Sequence, residues 1–397
     1  MTSEQTAARR GSIAPAIVAA LAVAMGAVAL ALDRAWIDTA QVELSRATEA
    51  AALAAARELA TDDVLRPNSQ VETRVTQARR AAEEVAALNT VVGKPVAIAD
   101  GDVTFGKYVY SRSSGANVFL ETERDPQSVV VAGRFERSRS NPIALAARGF
   151  GGGRTADLAR LSVATLDNRL LGVRAGHNLP VPALPLAILD GDPQGARSDT
   201  WQTQIAGRKG SDAFGYDSDS NAVTSGPDGI PEMQLVTSVP GSAPTGISPN
   251  VCLVDFSDRY DAEHVSKMIA HGWSHADLAP SQSKIMLDSM PKDFTASFAP
   301  GDREYAALQP LVGECRICLL YRVSTPAGST ATTPAVSLTG LVAGRIMSLV
   351  RSPGQPLRIV FQPAVIVTRA AETAEPGADH NTPAGPNPYI FKLTLTQ

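Results

Sequence analysis

The chain opens with a long uncharged, apolar stretch that lies between a basic N-terminus and an acidic continuation. No charged residue occurs between Arg10 and Asp33. As a helix, residues 12–32 would supply the roughly 20 residues that cross the roughly 30 Å hydrocarbon core of a bilayer. Arg9 and Arg10 precede the stretch, and the positive-inside rule places such a basic flank in the cytoplasm. The pattern predicts a cytoplasmic segment over residues 1–11, a single transmembrane helix over residues 12–32, and export of the chain that follows.

The same stretch has features of a cleavable secretory signal. Ala29-Leu30-Ala31 fits an A-x-A cleavage site directly before Leu32. However, the apolar run is longer than the roughly 7 to 15 residues of a signal-peptide core, and the helical pattern does not stop at the site. We therefore expect the helix to be retained. The alternative is a secreted β-rich protein with a cleaved signal peptide that begins near Leu32.

Two amphipathic helices are predicted after the apolar stretch. Apolar residues recur there at steps of three and four, and neither glycine nor proline interrupts residues 27–60. The first amphipathic helix, over about residues 33–60, therefore continues the membrane helix as one rod of about 70 Å. Ser69-x-x-Glu72 forms a capping box that opens a second helix over about residues 69–88. Together they predict a periplasmic helical stalk over residues 33–90.

Beyond Pro95 the pattern changes to alternation over short segments, which are separated by glycine, proline, asparagine and serine. One such segment is typical of an antiparallel sheet, because one face carries Val129, Val131, Gly133 and Phe135. Residues 190–232 are rich in glycine, aspartate and serine and predict long loops, whereas strand patterns return after Leu311.

These patterns predict an α+β fold. A long N-terminal transmembrane and amphipathic helix and a second helix are followed by a mainly antiparallel β extracytoplasmic region. We divide that region into a β-rich domain over residues 91–185 and a second β-rich domain with long loops over residues 186–397.

Composition narrows the possible functions. The net charge is -4 and no stripe of lysine and arginine is interleaved with aromatic residues, so nucleic acid is not an expected partner. The three cysteines do not supply a four-ligand zinc ribbon. Cys252 paired with Cys315 or Cys318 would make one disulfide, and three buried free cysteines are the alternative.

One loop carries oxygen-bearing side chains at the spacing of an EF-hand-like calcium loop. Positions 1, 3, 5, 9 and 12 are occupied by Asp217, Asp219, Asn221, Ser225 and Asp228. Position 6 is Ala222 instead of the usual glycine, and neither flank has a helical pattern. We therefore expect no cofactor apart from a possible calcium ion. A solvated Asp/Ser loop is the alternative, and bound calcium would suit a calcium- or metal-dependent surface adhesin.

No motif indicates an enzyme. Asp255-x-Ser257 follows a buried strand, as at the start of a von Willebrand A metal site, but Arg259 stands where a second serine is needed. His264, His271 and His275 cluster in sequence, yet Gly272 interrupts their helix and no H-E-x-x-H motif is present. The chain also lacks a G-x-S-x-G motif, a phosphate-binding loop and a dinucleotide fingerprint.

Small residues form a stripe along the long helix, and this stripe is a candidate helix-packing face. Its members are Ala22, Gly26, Ala29, Ala40 and Ala47. Small side chains let helix backbones approach closely within lipid, so the face would pack against helices of partner proteins or of further copies. Alternatively, it contacts only lipid and the second helix of the same chain.

The order of these parts resembles the TadE/TadG-like proteins of Tad-type (Flp) pilus assembly. The resemblance rests on Arg10-Gly11, the apolar helix, Asp33 just outside it, and the alanine-rich run over residues 48–57. Later segments up to Ile188 also resemble the extracytoplasmic region of that family. The resemblance implies a non-catalytic component of the pilus (tight adherence or secretion) apparatus, single-pass in the bacterial inner membrane. Its implied partners are the membrane, other pilus-assembly or envelope proteins, and further copies of itself.

Overall fold

The computed structural model describes residues 13–111, 116–145, 154–239, 249–290, 292–323, 335–374 and 386–396. The α-helices in these residues are α1 (Ala14–Glu58), α2 (Val71–Ala87), α3 (Ala262–His271) and α4 (Asp302–Leu308). The strands are β1 (Thr90–Val91), β2 (Lys94–Pro95), β3 (Val103–Ser111), β4 (Ala116–Glu121), β5 (Ser128–Phe135), β6 (Ile143–Ala144), β7 (Thr155–Ala156), β8 (Leu158–Asp167), β9 (Leu170–Arg174), β10 (Ala183–Leu189), β11 (Phe214–Asp217), β12 (Ala222–Ser225), β13 (Met233–Val236), β14 (Val251–Asp255), β15 (Lys284–Met286), β16 (Lys292–Ser297), β17 (Cys315–Val323), β18 (Ala335–Val350), β19 (Arg358–Pro363), β20 (Ile366–Val367), β21 (Ala371–Thr373) and β22 (Ile390–Thr396). Most strand pairs are antiparallel, which confirms the predicted α+β class.

Helix α1 is one uninterrupted element of 45 residues. Proline stands in its first turn, where the missing N–H is not needed, and alanine dominates its interior. Helix α2 begins at Val71 with Gln70 at the N-cap, and no side-chain cap bond forms. The capping box predicted from Ser69 and Glu72 is therefore absent, and the buried Ser69 hydroxyl has no hydrogen-bond partner within the described structure. The helix is held by packing instead.

The first domain is a two-layer unit in which two helices cover one face of a sheet. The sheet has the strand order β20-β22-β8-β5-β3-β4. The C-terminal half of α1 lies on β5 and β8, and α2 packs antiparallel beside it. Thr48 Oγ1 of α1 lies 2.7 Å from Ser162 Oγ of β8. The helices predicted as a stalk thus form one layer of this domain.

The second domain is built around a seven-stranded sheet with the order β13-β19-β18-β16-β14-β10-β17. The long strand β18 pairs with β16, β17 and β19, so that β10, β14, β16, β18 and β17 close into a ring. All seven residues of β10 are buried, which explains its continuous apolar sequence. Helix α3 packs next to β10 and β14, and α4 packs against α3.

The last part of the chain returns to the first domain. Strand β22 pairs antiparallel with β8, and β20 pairs parallel with β22. The chain therefore crosses between the two units a second time after residue 363. This connection ties the C-terminal strand to the same sheet that carries α1.

Candidate membrane-anchoring site

The N-terminal part of α1 extends away from both domains and is apolar on most of its surface. Within the described residues, α1 is the helix long and apolar enough to cross a membrane, and its most apolar 18-residue window is not buried at all. Residues 14–32 would measure about 28 Å along the helix axis, close to the thickness of a bilayer core. The large exposed side chains are Ile13, Ile17, Val18, Leu21, Val23, Met25, Val28, Leu30 and Leu32.

This exposure is unfavourable in water. Moving one large aliphatic side chain out of water is worth about 1.5–3 kcal/mol, so nine such side chains strongly favour an apolar environment. A contiguous apolar surface of this size indicates a membrane or protein interaction site. The length and the all-round exposure together favour a membrane span.

The end of the apolar segment has the features of a membrane–water boundary. Trp36 is 47% exposed, and tryptophan is enriched at the headgroup level of bilayers. Arg34 Nε lies 3.2 Å from Asp38 Oδ2 on the exposed helix surface. The charged and aromatic residues therefore begin directly after the apolar run.

The predicted helix-packing residues of α1 are buried towards the first domain and become accessible towards the N-terminus. Ala40 and Ala47 are completely buried in the core of the first domain, so they pack within the chain. Ala29 is also buried, Gly26 is half-buried and Ala22 is exposed. A partner helix would therefore find Ala22 and part of Gly26 accessible, whereas Ala40 and Ala47 are already in contact with this chain.

The predicted calcium loop folds as a β-hairpin made of β11 and β12. Asp217 pairs with Ala222, and Asp219 and Asn221 lie in the turn between them. Ser225 pairs with Phe214 at the opposite end of the hairpin, three residue pairs from Asp217. Asp228 lies beyond the hairpin and accepts hydrogen bonds from Gln362 and from the backbone of Ile230. The structure brings the first three residues together and leaves the other two apart.

The carboxylate of Asp217 is already used inside the turn. It accepts hydrogen bonds from the Asp219 amide at 3.0 Å and from Ser220 Oγ at 2.6 Å, and these bonds lower the pKa of Asp217. Across the described residues, no three His, Cys, Asp or Glu side chains are arranged to hold a metal ion. Calcium binding stays an untested prediction.

Sequence reasoning missed a charged centre in the second domain. His264 of α3 lies between two carboxylates, with Nδ1 at 2.9 Å from Asp255 Oδ1 and Nε2 at 3.0 Å from Asp277 Oδ1. Partial burial alone would lower the pKa of His264, but the hydrogen bonds to Asp277 and Asp255 raise it above its ordinary value. One signal could have found this centre: an aspartate at the end of a buried strand, just before a helix that carries a histidine in its first turn.

The cysteines offer neither a disulfide nor a reactive thiol. All three are free, and Cys252 and Cys318 are buried. Burial raises the pKa of the Cys315 thiol to about 12 and raises the pKa of the other two as well. Because the thiolate is the nucleophilic form, these side chains are chemically inert at neutral pH. Of the two alternatives from the sequence, the structure has the free cysteines.

The fold and the exposed helix define a class of protein, an α+β body from which one N-terminal apolar helix extends that could cross a membrane. Residues 11–58 match a family model described as putative Flp pilus-assembly TadE/G-like. The match confirms the resemblance for this segment, and it ends at the residue where α1 ends. Comparison with curated proteins and with solved structures finds no match to the chain. The resemblance suggested for residues 59–188 stays a prediction.

Proposed function

We propose that this protein is a membrane-anchored, structural component of Tad/Flp pilus assembly. In this proposal α1 crosses the bacterial inner membrane once, the N-terminus lies in the cytoplasm, and both domains lie in the periplasm. The observation that carries the proposal is the dual role of α1 within the matched segment. Its first half is exposed and apolar, whereas its second half is part of the core of the first domain. The proposed anchor is therefore continuous with a helix of the first domain.

The proposed work of the protein is binding and positioning, without catalysis. The support for this proposal is the family description, which names pilus assembly. A continuous helix that joins membrane and domain holds the domain at a fixed height and orientation. We propose that other pilus-assembly or envelope proteins bind to the domains held in this way.

The anchor can be tested with two substitutions near the middle of the apolar segment. Leu21 and Met25 lie one turn apart and are both exposed, so the domains do not depend on them. Each arginine near the centre of a span costs about 2.5–3.5 kcal/mol of insertion free energy. We expect the L21R/M25R double variant to move from the membrane fraction to the soluble fraction in high-salt and alkaline extraction. The matched L21A/M25A variant should remain in the membrane.

The same pair of variants tests the pilus role. Deleting the gene should abolish adhesion that depends on the pilus, and L21A/M25A should restore it where L21R/M25R does not. Adhesion that survives the deletion would refute the role in pilus assembly while leaving the membrane anchor intact. Intact mass of the protein purified from membranes should include residues 12–32; a product that begins at Leu32 would instead support the secreted alternative.

A further inference from the structure

The centre formed by Asp255, His264 and Asp277 joins three separate elements of the second domain. Asp255 is the last residue of β14 and its side chain is fully buried. His264 lies in the first turn of α3, and Asp277 lies in the loop of residues 272–283 that connects α3 to β15. The imidazole ring therefore links the sheet edge to the middle of this loop. The two ends of the loop are held separately, by the backbone pairing of Trp273 with Val181 and by the bond from the Ala175 amide to the Ser283 carbonyl.

The geometry requires a positively charged imidazole. Each ring nitrogen lies within 3.0 Å of a carboxylate oxygen. A carboxylate accepts hydrogen bonds and does not donate them, and a neutral imidazole has only one N–H. Both contacts are hydrogen bonds only when His264 carries two N–H groups. The contact pattern thus corresponds to the imidazolium form.

The two carboxylates differ in how well they are held without His264. Asp255 also accepts from the amide and the hydroxyl of Ser257 and from the amide of Asp261. Asp277 has one further donor, the amide of Ser274 at 2.7 Å, and its side chain is 17% exposed. A neutral His264 would keep its single N–H towards the buried Asp255 and turn a lone pair towards Asp277. The loop side of the link is therefore the weaker one.

The surrounding ionisable groups do not replace this link. Tyr260 Oη donates to Glu304 of α4 at 2.9 Å, and the carboxylate of Asp261 caps α3 at the amide of Glu263. No lysine or arginine among the described residues forms an ion pair with Asp255 or Asp277, whose only ionic partner there is His264. In the loop, His275 is stacked on His177 with ring centroids 4.4 Å apart.

The loop borders a surface groove. A cavity of about 350 Å³ is lined by residues of the segment 280–290 together with Phe294. Pro280, Ser281 and Gln282 of the loop form one wall. Gln282 and Ser283 both have positive φ angles, of 58° and 60°, which are unfavourable for residues other than glycine. The loop therefore needs its contacts to stay in this conformation.

We propose that His264 acts as an acid-closed clamp. Its doubly protonated ring ties Asp255 to Asp277 and holds residues 274–282 against the second domain. Loss of one proton loosens these residues between the anchored Trp273 and Ser283 and widens the groove beside them. This inference does not depend on the role in pilus assembly.

The direction of the pH dependence follows from linkage. The pKa of His264 is raised in the folded state, so its contribution to stability is complete below the unfolded-state pKa of about 6.5. The contribution is lost as the pH rises through the higher folded-state pKa. The clamp is therefore closed in acid and open in alkali.

Hydrogen exchange of the full chain in phospholipid nanodiscs, read by mass spectrometry at pH 5.5 and 8.5, tests the clamp. After correction for the intrinsic pH dependence of exchange, we expect protection of residues 274–282 to fall at least tenfold at the higher pH. Strand β8 in the first domain serves as the internal reference and should not change. Unchanged protection of the loop in the wild-type protein would refute the clamp.

Three histidine variants assign the effect to one side chain. H264Q should show low protection of the loop at both pH values, whereas H271Q, on the exposed end of the same helix, should keep the wild-type transition. H275Q tests the stacked pair and should also keep it. A transition that persists in H264Q, or one that disappears in H275Q, would overturn the proposal. If H264Q does not fold, the side-chain NMR titration of His264 in the wild-type protein decides, because a midpoint at or below pH 6.5 contradicts a charged link.

Discussion

At the scale of single residues, the contact between α1 and the sheet depends on the absence of one side chain. A Cβ atom on Gly133 of β5 would lie 2.5 Å from Thr48 Cγ2 and 2.7 Å from Leu44 Cδ1. Both distances are shorter than real carbon–carbon contacts. The helix therefore approaches the sheet closely because residue 133 is glycine. The alternating pattern placed Gly133 on the face of Phe135 but did not show what covers it.

We expect Gly133→Ala to destabilise the first domain by about 1–3 kcal/mol, the usual cost of overpacking a core. Gly101→Ala is the matched control, because a Cβ there meets no atom within 4 Å and its φ is not positive. Denaturant unfolding of both variants in detergent measures the difference. Equal stabilities of G133A and the wild type would mean that α1 does not pack tightly on β5.

At the scale of elements, local patterns predicted the helices well and their environment poorly. The spacing of apolar residues indicated α1 and α2 because a helix that buries one face repeats every three to four residues. The same spacing does not identify what the buried face packs against, so the sheet that lies beneath the predicted periplasmic helical stalk was not expected. The pairing of β22 with β8 could not be predicted either, because it joins residues more than 200 positions apart.

The β11–β12 hairpin shows why the residues of the predicted calcium loop do not all lie together. Alternating oxygen-bearing residues in a glycine-containing segment suit both a metal loop and a hairpin turn. In the hairpin, Ser225 pairs with Phe214 and therefore lies at the end away from the turn. In an EF-hand loop, the residue at this position would lie next to the ion. The register of the strands distinguishes the hairpin from a metal-binding loop, and the register is not a local property of the sequence.

We expect millimolar calcium to leave the melting temperature of the full chain unchanged. The three residues at the turn supply too few ligands for an ion that takes six to eight oxygens, and Asp217 is already hydrogen-bonded. Thermal unfolding with calcium and with chelator gives the comparison, and magnesium controls for ionic strength. A calcium-specific rise that is lost in D217N would instead support the adhesin alternative.

At the scale of the whole molecule, the turn after α1 connects the anchor to the second domain. Asp62 accepts a hydrogen bond from the Val365 amide at 2.6 Å and forms an ion pair with Arg345 of β18. The guanidinium of Arg345 lies 3.8 Å above the ring of Tyr216. Arg208 donates to the carbonyl of Leu65 in the same turn at 2.9 Å. The second domain therefore holds the end of the helix whose first half is the candidate membrane span.

Among these contacts, we expect those of Asp62 to contribute most to the binding of the two domains to each other. The side chains of Asp62 and Arg345 are only 21% and 11% exposed. Removing one partner of a buried ion pair leaves the other charge uncompensated, which typically costs about 3–5 kcal/mol. We expect a loss of this size in D62A, because Val365 also loses its acceptor. Unfolding followed by the fluorescence of Trp201 and Trp273, both buried in the second domain, measures it.

The neighbouring residue supplies the control. Asp63 pairs with Arg66 on the surface, where both side chains are more than 30% exposed. Exposed pairs contribute about 0–1 kcal/mol, so D63A should be nearly neutral. If D62A is as stable as D63A, the second domain is held through other contacts, such as the bond from Arg208 to the Leu65 carbonyl and the pairing of β22 with β8. A large effect specific to D62A would mean that the ion pair between Asp62 and Arg345 contributes strongly to holding the end of α1 on the second domain.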